Sequence, residues 1–284
     1  MATPPPLAGD PGPTLSRRHA AGAVSARGLL FTVLGEFVLP TGGSAWTSAF
    51  IQTFGRLGVE EKAIRQALAR TATDGWIRPE RHGRRTRWWL TPDGDRLLTE
   101  GTKRIYAFAG SQREWDGSWL LVLARVPEND RPARHVLRTR LSWAGLGSPA
   151  PGVWITTHTD RLDEVEQVLR QADVADGQVF AAEHVGGGDL PALVAQAWDL
   201  PEIEQRYEEF LAEFASVQAQ DPLTRLIELV HAWRRFPSID PGLPARLLPG
   251  RWSGARAAKL FAARHARWSA DAVTQWIRLN KAAS

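Results

Sequence analysis

The sequence predicts an α+β protein in three folded parts, on three observations. A run of short helical periodicities ends in an aromatic-rich hairpin before residue 91; a strand–helix–strand–strand–helix–strand order follows; and everything beyond a triple glycine at 186–188 carries helical periodicity alone. With 284 residues, 43% of them hydrophobic and 23% charged, the chain is long enough to bury a substantial core and divide into such parts.

The first 24 residues carry Pro4, Pro5, Pro6, Pro11 and Pro13 among small side chains, too little apolar surface to pack, and are expected to form a disordered arm. Leu29, Leu30, Val33, Leu34 and Phe37 then recur at helical spacing until Pro40 and Gly42-Gly43 stop them. A second helix is expected over 46–54 and a third over 59–74, with Gly55 and Gly58 in the turn between and Gly75 as the stop. Trp76-Ile77-Arg78 and Arg87-Trp88-Trp89-Leu90 read as strands around the basic tip Glu80-Arg81-His82-Gly83-Arg84-Arg85. Thr91-Pro92 supplies an N-cap and a proline at N1 for a helix to about residue 105. Helix, helix-turn-helix, hairpin, helix is the order of a winged helix-turn-helix, placed at 25–106.

Residues 107–188 change character. An apolar run at 119–126, a helix at 132–144, short strands at 145–148 and 153–158 joined through Pro149-Ala150-Pro151-Gly152, a helix with Leu162, Val165, Val168 and Leu169 inward, and a strand at 178–184 make a βαββαβ unit of the ferredoxin-like kind. Gly186-Gly187-Gly188 lacks the Gly-Lys-Ser/Thr ending of a phosphate cradle and reads as a hinge. Helices over 190–198, 201–214, 223–236 and 255–279 complete a helical part at 189–284.

Charge is uneven along the chain. Net values of +5 over 56–104, −11 over 160–214 and +8 over 222–284 sit behind an overall +4, and suggest either a polyanion partner at one end with a different job in the centre, or merely solvated faces. At about 100° per residue, Ile64, Ala67, Leu68 and Thr71 share the inner face of the third helix, leaving Lys62, Arg65, Gln66, Ala69 and Thr73 outside. Arg65 could fork onto guanine and Gln66 onto adenine, Lys62 could meet a phosphate, and the small Ala69 would let the helix sit deep in a major groove. The same residues equally suit a solvated helix, and the helix alone does not separate the two readings. Arg81, His82, Arg84, Arg85 and Arg87 shift the balance: five basic side chains crowded on one hairpin repel each other unless a polyanion relieves them.

Catalytic and metal chemistry find no foothold. With no cysteine there is no disulfide, iron–sulfur or thiol chemistry, and the seven histidines show no ligand spacing. The longest apolar run, residues 29–39, is too short to span a bilayer and lacks a signal peptide's cleavage site, so a cytoplasmic, non-enzymatic protein without metal or cofactor is expected.

The residues also resemble the PaaX family of phenylacetate-degradation regulators. The resemblance is carried by Leu29-Leu30-Phe31-Thr32-Val33-Leu34-Gly35, Val38-Leu39-Pro40 and Gly42-Gly43, by Ala63-Ile64-Arg65-Gln66-Ala67-Leu68-Ala69-Arg70, by Asp74-Gly75-Trp76 and by Gly83-Arg84-Arg85. It continues through Trp115-Asp116-Gly117, Ala150-Pro151-Gly152-Val153-Trp154, Ala197-Trp198-Asp199-Leu200, Asp240-Pro241-Gly242-Leu243-Pro244-Ala245 and Leu247-Leu248-Pro249. It implies a Cas2-like central domain for dimerisation and a homodimer that represses an aromatic-acid catabolic operon on double-stranded operator DNA. It also implies release by an acyl-CoA effector, typically phenylacetyl-CoA. Arg246, Arg251, Arg256 and Lys259 in the basic tail are candidates for the CoA phosphates, or partners of the acidic middle. Two alternatives stay open: a Cas2-like metal-dependent nuclease, disfavoured because the first central strand ends Leu123-Ala124-Arg125-Val126 without a carboxylate, and an acyl-CoA sensor without DNA binding.

Overall fold

The computed structural model describes residues 25–110, 114–126, 130–174, 176–216 and 221–283; the expected arm at 1–24 lies outside them. The first helix, α1 (Ala26–Val33), starts at Ser25, whose Oγ accepts from the Gly28 amide at 3.5 Å. Its apolar stripe runs on, but not as regular α-helix: Leu34–Val38 forms one π turn and Leu39–Thr41 a 3₁₀ turn before Gly42 reverses the chain at φ +102°. Next comes a strand that periodicity did not predict, β1 (Ser44–Trp46), followed by α2 (Thr47–Arg56) and α3 (Glu61–Thr73). Three residues are too few to display a period, and β1 exists because it pairs antiparallel with β3, Ser44 opposite Trp89 and Trp46 opposite Arg87.

The hairpin strands β2 (Ile77–His82) and β3 (Arg85–Leu90) are longer than expected. His82 stands opposite Arg85, so the tip is only Gly83-Arg84, with Gly83 at φ +61°, where a type II′ turn needs a positive φ. Glu80, Arg81 and His82 are therefore strand residues rather than loop. The sheet order is β1-β3-β2. Thr91 then caps α4 (Pro92–Gly110), its Oγ1 accepting from the Gly94 amide at 3.0 Å. Gly94 has no substitute there, since a Cβ would stand 2.0 Å from the Trp76 carbonyl oxygen.

The middle of the chain supplies β4 (Ser118–Leu123), α5 (Arg131–Trp143), β5 (Gly147–Ala150), β6 (Val153–Thr156), α6 (Leu162–Gln171) and β7 (Gln178–Glu183). Its antiparallel order, β5-β6-β4-β7, is that of a ferredoxin-like sheet. α5 and α6 cover one face through Leu137, Leu141, Val165 and Leu169 against Val122 and Trp154. β4 stops at Leu123, 40% exposed, three residues short of the expected end.

The rest is helical: α7 (Leu190–Ala197), α8 (Leu200–Phe214), α9 (Pro222–Trp233), the single turn α10 (Phe236–Ile239) and α11 (Gly254–Ala282). The expected helix at 223–236 is thus broken after Trp233, Pro237 starting the short turn that follows. The 29 residues of α11 run about 43 Å without a break. Trp233 stacks on Phe261 at 4.7 Å and Tyr207 on Phe236 at 4.1 Å, while Trp276 packs between Phe37 at 5.8 Å and Phe50 at 5.6 Å. Through Trp276 the head and the C-terminal helices share one core, to which Trp119 and Ile155 of the central sheet also belong.

Candidate nucleic-acid interface

The third helix presents the two faces its periodicity requires. Ile64, Ala67, Leu68 and Thr71 are buried against α1 and α2, and Lys62, Arg65, Gln66, Ala69 and Thr73 are exposed. Ala69 leaves a shallow depression between the long side chains of Lys62, Arg65 and Gln66. Arg65 is not idle in it: its Nε donates to Glu61 Oε1 at 2.7 Å, so base contact requires leaving an exposed i,i+4 ion pair. Such a pair stabilises a helix by only about 0.3–0.5 kcal/mol, so a guanine edge can compete for the guanidinium.

The five basic residues of the hairpin divide into two groups. Arg87 lies 4.6 Å from the Trp89 ring centroid and 5.7 Å from that of Trp46, and its Nε donates to Ser44 Oγ at 3.1 Å. Arg85 sits 5.5 Å over Trp46, and His82 meets Glu80 Oε1 at 2.9 Å. Arg81, near the end of β2, and Arg84, at the tip, are exposed, with no ion pair or hydrogen bond to their side chains among the described residues. Thr47 fastens the hairpin to the start of α2, donating to the Thr86 carbonyl at 3.0 Å and accepting from Trp88 Nε1 at 2.9 Å.

Three ties, none legible in the sequence, bind this head to the C-terminal helices. Asn280 of α11 accepts from the Trp46 amide at 3.0 Å and donates to the Ser44 carbonyl at 3.3 Å. Glu36, presented by the π turn, takes Tyr106 Oη at 2.5 Å and His265 Nε2 of α11 at 2.7 Å; burial, then the Glu36 charge, pushes the Tyr106 hydroxyl above its ordinary range. On α1, the Gly28 carbonyl accepts from Arg234 at 2.8 Å and Thr32 Oγ1 meets His231 Nδ1 at 3.1 Å. Burial first, then the Arg234 and Arg235 charges, lowers the His231 imidazole to about 4.

The basic candidates of the tail lie apart from one another in environment. Arg246 stacks 3.9 Å over the Trp115 ring, Arg256 pairs with Glu208 at 3.2 Å, and Arg251 and Lys259 are exposed. Among the described residues, no three His, Asp or Glu side chains are grouped to hold a metal ion, and no helix is long and apolar enough to cross a membrane.

Three consecutive family models match the chain: PaaX-like protein over 25–94, the PaaX protein central Cas2-like domain over 112–194 and the PaaX-like protein C-terminal domain over 198–277. Among characterised proteins, the transcriptional repressor PaaX of Escherichia coli (strain K12) is 32% identical over 260 residues, covering 86% of this chain and 81% of its own. Among solved structures, the uncharacterized protein Rv0674 from Mycobacterium tuberculosis shares the fold at a TM-score of 0.60 and 23% identity, over 92% of this chain and 99% of that one.

Proposed function

The chain belongs to the PaaX family, and from that premise we propose that it is a cytoplasmic, homodimeric transcriptional repressor of an aromatic-acid catabolic operon, released from double-stranded operator DNA by an acyl-CoA such as phenylacetyl-CoA. The observation that carries the DNA-binding part is the pairing of an exposed, base-capable helix face at Lys62, Arg65, Gln66 and Ala69 with a wing whose Arg81 and Arg84 have no protein partner among the described residues. Base contacts specify and phosphate contacts position, and the head offers one surface for each. The protein has no catalytic role in this reading, and the central sheet is a scaffold. Sequences enriched from a random duplex pool should yield one operator; its affinity, read by fluorescence anisotropy, should fall on adding phenylacetyl-CoA. Enrichment of no sequence removes the repressor reading, and an affinity indifferent to every aromatic acyl-CoA tried removes the effector.

A further inference from the structure

The head, the central domain and the C-terminal helices meet around a groove of about 2550 Å³, whose walls come from α1, α4, the C-terminal end of α5, α8 and α10. Arg104 pins one end of it, donating to the Trp143 carbonyl at 2.8 Å and the Pro237 carbonyl at 3.3 Å. Into the same groove come Arg206, Arg234 and Arg235. Four carboxylates of the groove are occupied: Glu36 by Tyr106 and His265, Glu202 by Arg206 at 2.6 Å, Glu228 by Arg225 at 2.8 Å, and Asp199 by the Glu202 amide at 3.1 Å; the fifth, Glu213, has no hydrogen bond or ion pair to its side chain among the described residues, and burial raises its carboxyl above the ordinary range. The Arg234 guanidinium has only neutral acceptors, the Gly28 carbonyl and Thr32 Oγ1 at 3.2 Å, and the Arg235 side chain has no hydrogen bond or ion pair among the described residues. Burial, then the adjacent guanidiniums, lowers both from the ordinary arginine value. Arg234, half-buried with neutral acceptors only, is an under-compensated charge, and Arg235 beside it stands exposed at the groove mouth with no carboxylate partner, so the two leave positive charge that an anion would offset.

We propose that this groove binds the anionic group of a small molecule, a phosphate or a carboxylate, through Arg235 and Arg206, with the apolar body of the ligand against Trp143, and that Arg234 transmits its occupancy to α1. The arginine fork matches either oxyanion bidentately, and Arg206 must exchange Glu202 for it, an exposed i,i+4 partner that holds it only weakly. A ligand here rather than DNA follows from the position, since the groove lies between the domains while Arg81 and Arg84 of the hairpin face solvent. The route to DNA is short: an anion that draws Arg234 away from the Gly28 carbonyl loosens α1, which packs directly on α3. Gly28 has little slack, because a Cβ there would stand 3.2 Å from the His231 ring. The consequence for DNA rests on the repressor reading above; the anion site does not.

Calorimetric titration of the full chain with phenylacetyl-CoA, coenzyme A and phenylacetate separates the sources: binding of the first two alone assigns the site to phosphates, and binding of phenylacetate assigns it to a carboxylate. Arg235→Gln and Arg206→Gln should each weaken the bound probe about 10- to 100-fold. Arg235→Lys should recover part of the loss, and Arg251→Gln, outside the groove, should change nothing. Operator affinity without ligand should be the same in Arg235→Gln as in the parent. The site is refuted if no probe binds, if Arg235→Gln binds as the parent does, if Arg251→Gln is the variant that loses binding, or if Arg235→Gln alone weakens DNA. Probe binding that depends on Arg235 in a protein that enriches no DNA sequence upholds the groove and sinks the repressor reading.

Discussion

Asn280, near the end of the last helix, stands in for a missing strand beside Trp46: its side-chain amide accepts from the Trp46 N–H and donates to the Ser44 carbonyl, closing the open edge of the winged-helix sheet. An edge strand of three residues would otherwise present unpaired, buried polar groups. Asn280→Leu therefore leaves both groups unsatisfied, at about 1–3 kcal/mol for each buried group. The expected result is a lower melting temperature together with weaker operator binding, because β1, which Asn280 holds, is the strand on which β3 of the hairpin is paired. Thermal unfolding and anisotropy on the same preparation check it; an unchanged melt means that the contact is not structural.

Helix and wing should fail differently when altered. Arg65→Ala should cost on the order of 1–3 kcal/mol on the selected operator and relax preference at one base position, with little effect on random duplex. Arg81→Ala with Arg84→Ala should weaken all duplexes alike and reduce the slope of log affinity against log salt by about 2. Glu61→Gln frees Arg65 from its ion pair and should tighten DNA binding by roughly twofold, the strength of an exposed helix pair. Identical behaviour of the helix and wing variants across a salt titration would refute this division of labour.

The depressed His231 makes stability pH-dependent in a defined window. Its imidazole titrates near 6.5 when unfolded and about 4 when folded, so between those values the unfolded chain binds more protons. Its contribution is intact above pH 6.5, is lost progressively as pH falls, and saturates near pH 4 at roughly 3 kcal/mol. His231→Gln removes the titration. Denaturant unfolding of both proteins from pH 7.5 to 4.5 should give curves that converge as the pH falls; parallel curves mean that His231 is protonated without cost in the folded state.

What was legible in the sequence is what local pattern controls. The buried set of α3 follows from spacing alone, as do the Thr91 cap and the order of the central strands. The illegible features depend on distant partners. β1 needs β3, and the π turn at Leu34–Val38 sits in an apolar stripe that reads as plain helix. Arg85 and Arg87 look like free wing cations until Trp46 and Trp89 are placed beside them. Arg234 and Arg235 end an amphipathic helix where solvated arginines are ordinary, and only the packing of α9 against α1 draws Arg234 inward.

Nuclease chemistry should be absent. β4 runs out through Ala124 and Arg125, leaving no carboxylate at the strand end where a divalent cation would be held. Single- and double-stranded DNA and RNA incubated with magnesium or manganese should remain whole. Cleavage that disappears in Asp160→Asn or Asp163→Asn would reinstate a metal-dependent activity.

The placement of α3 and the wing on DNA can be read directly, because the chain has no cysteine and any introduced thiol is unique. Thr73→Cys at the exposed end of α3, Arg84→Cys at the wing tip and Val185→Cys, 94% exposed beside the triple glycine, would each carry an iron chelate that cuts nearby DNA. Cutting is expected from position 73 within the operator half-sites and from position 84 in the minor groove flanking them, with background alone from position 185. Cutting from position 185 that equals or exceeds the other two would contradict that placement, and would move the DNA-binding surface away from the winged helix.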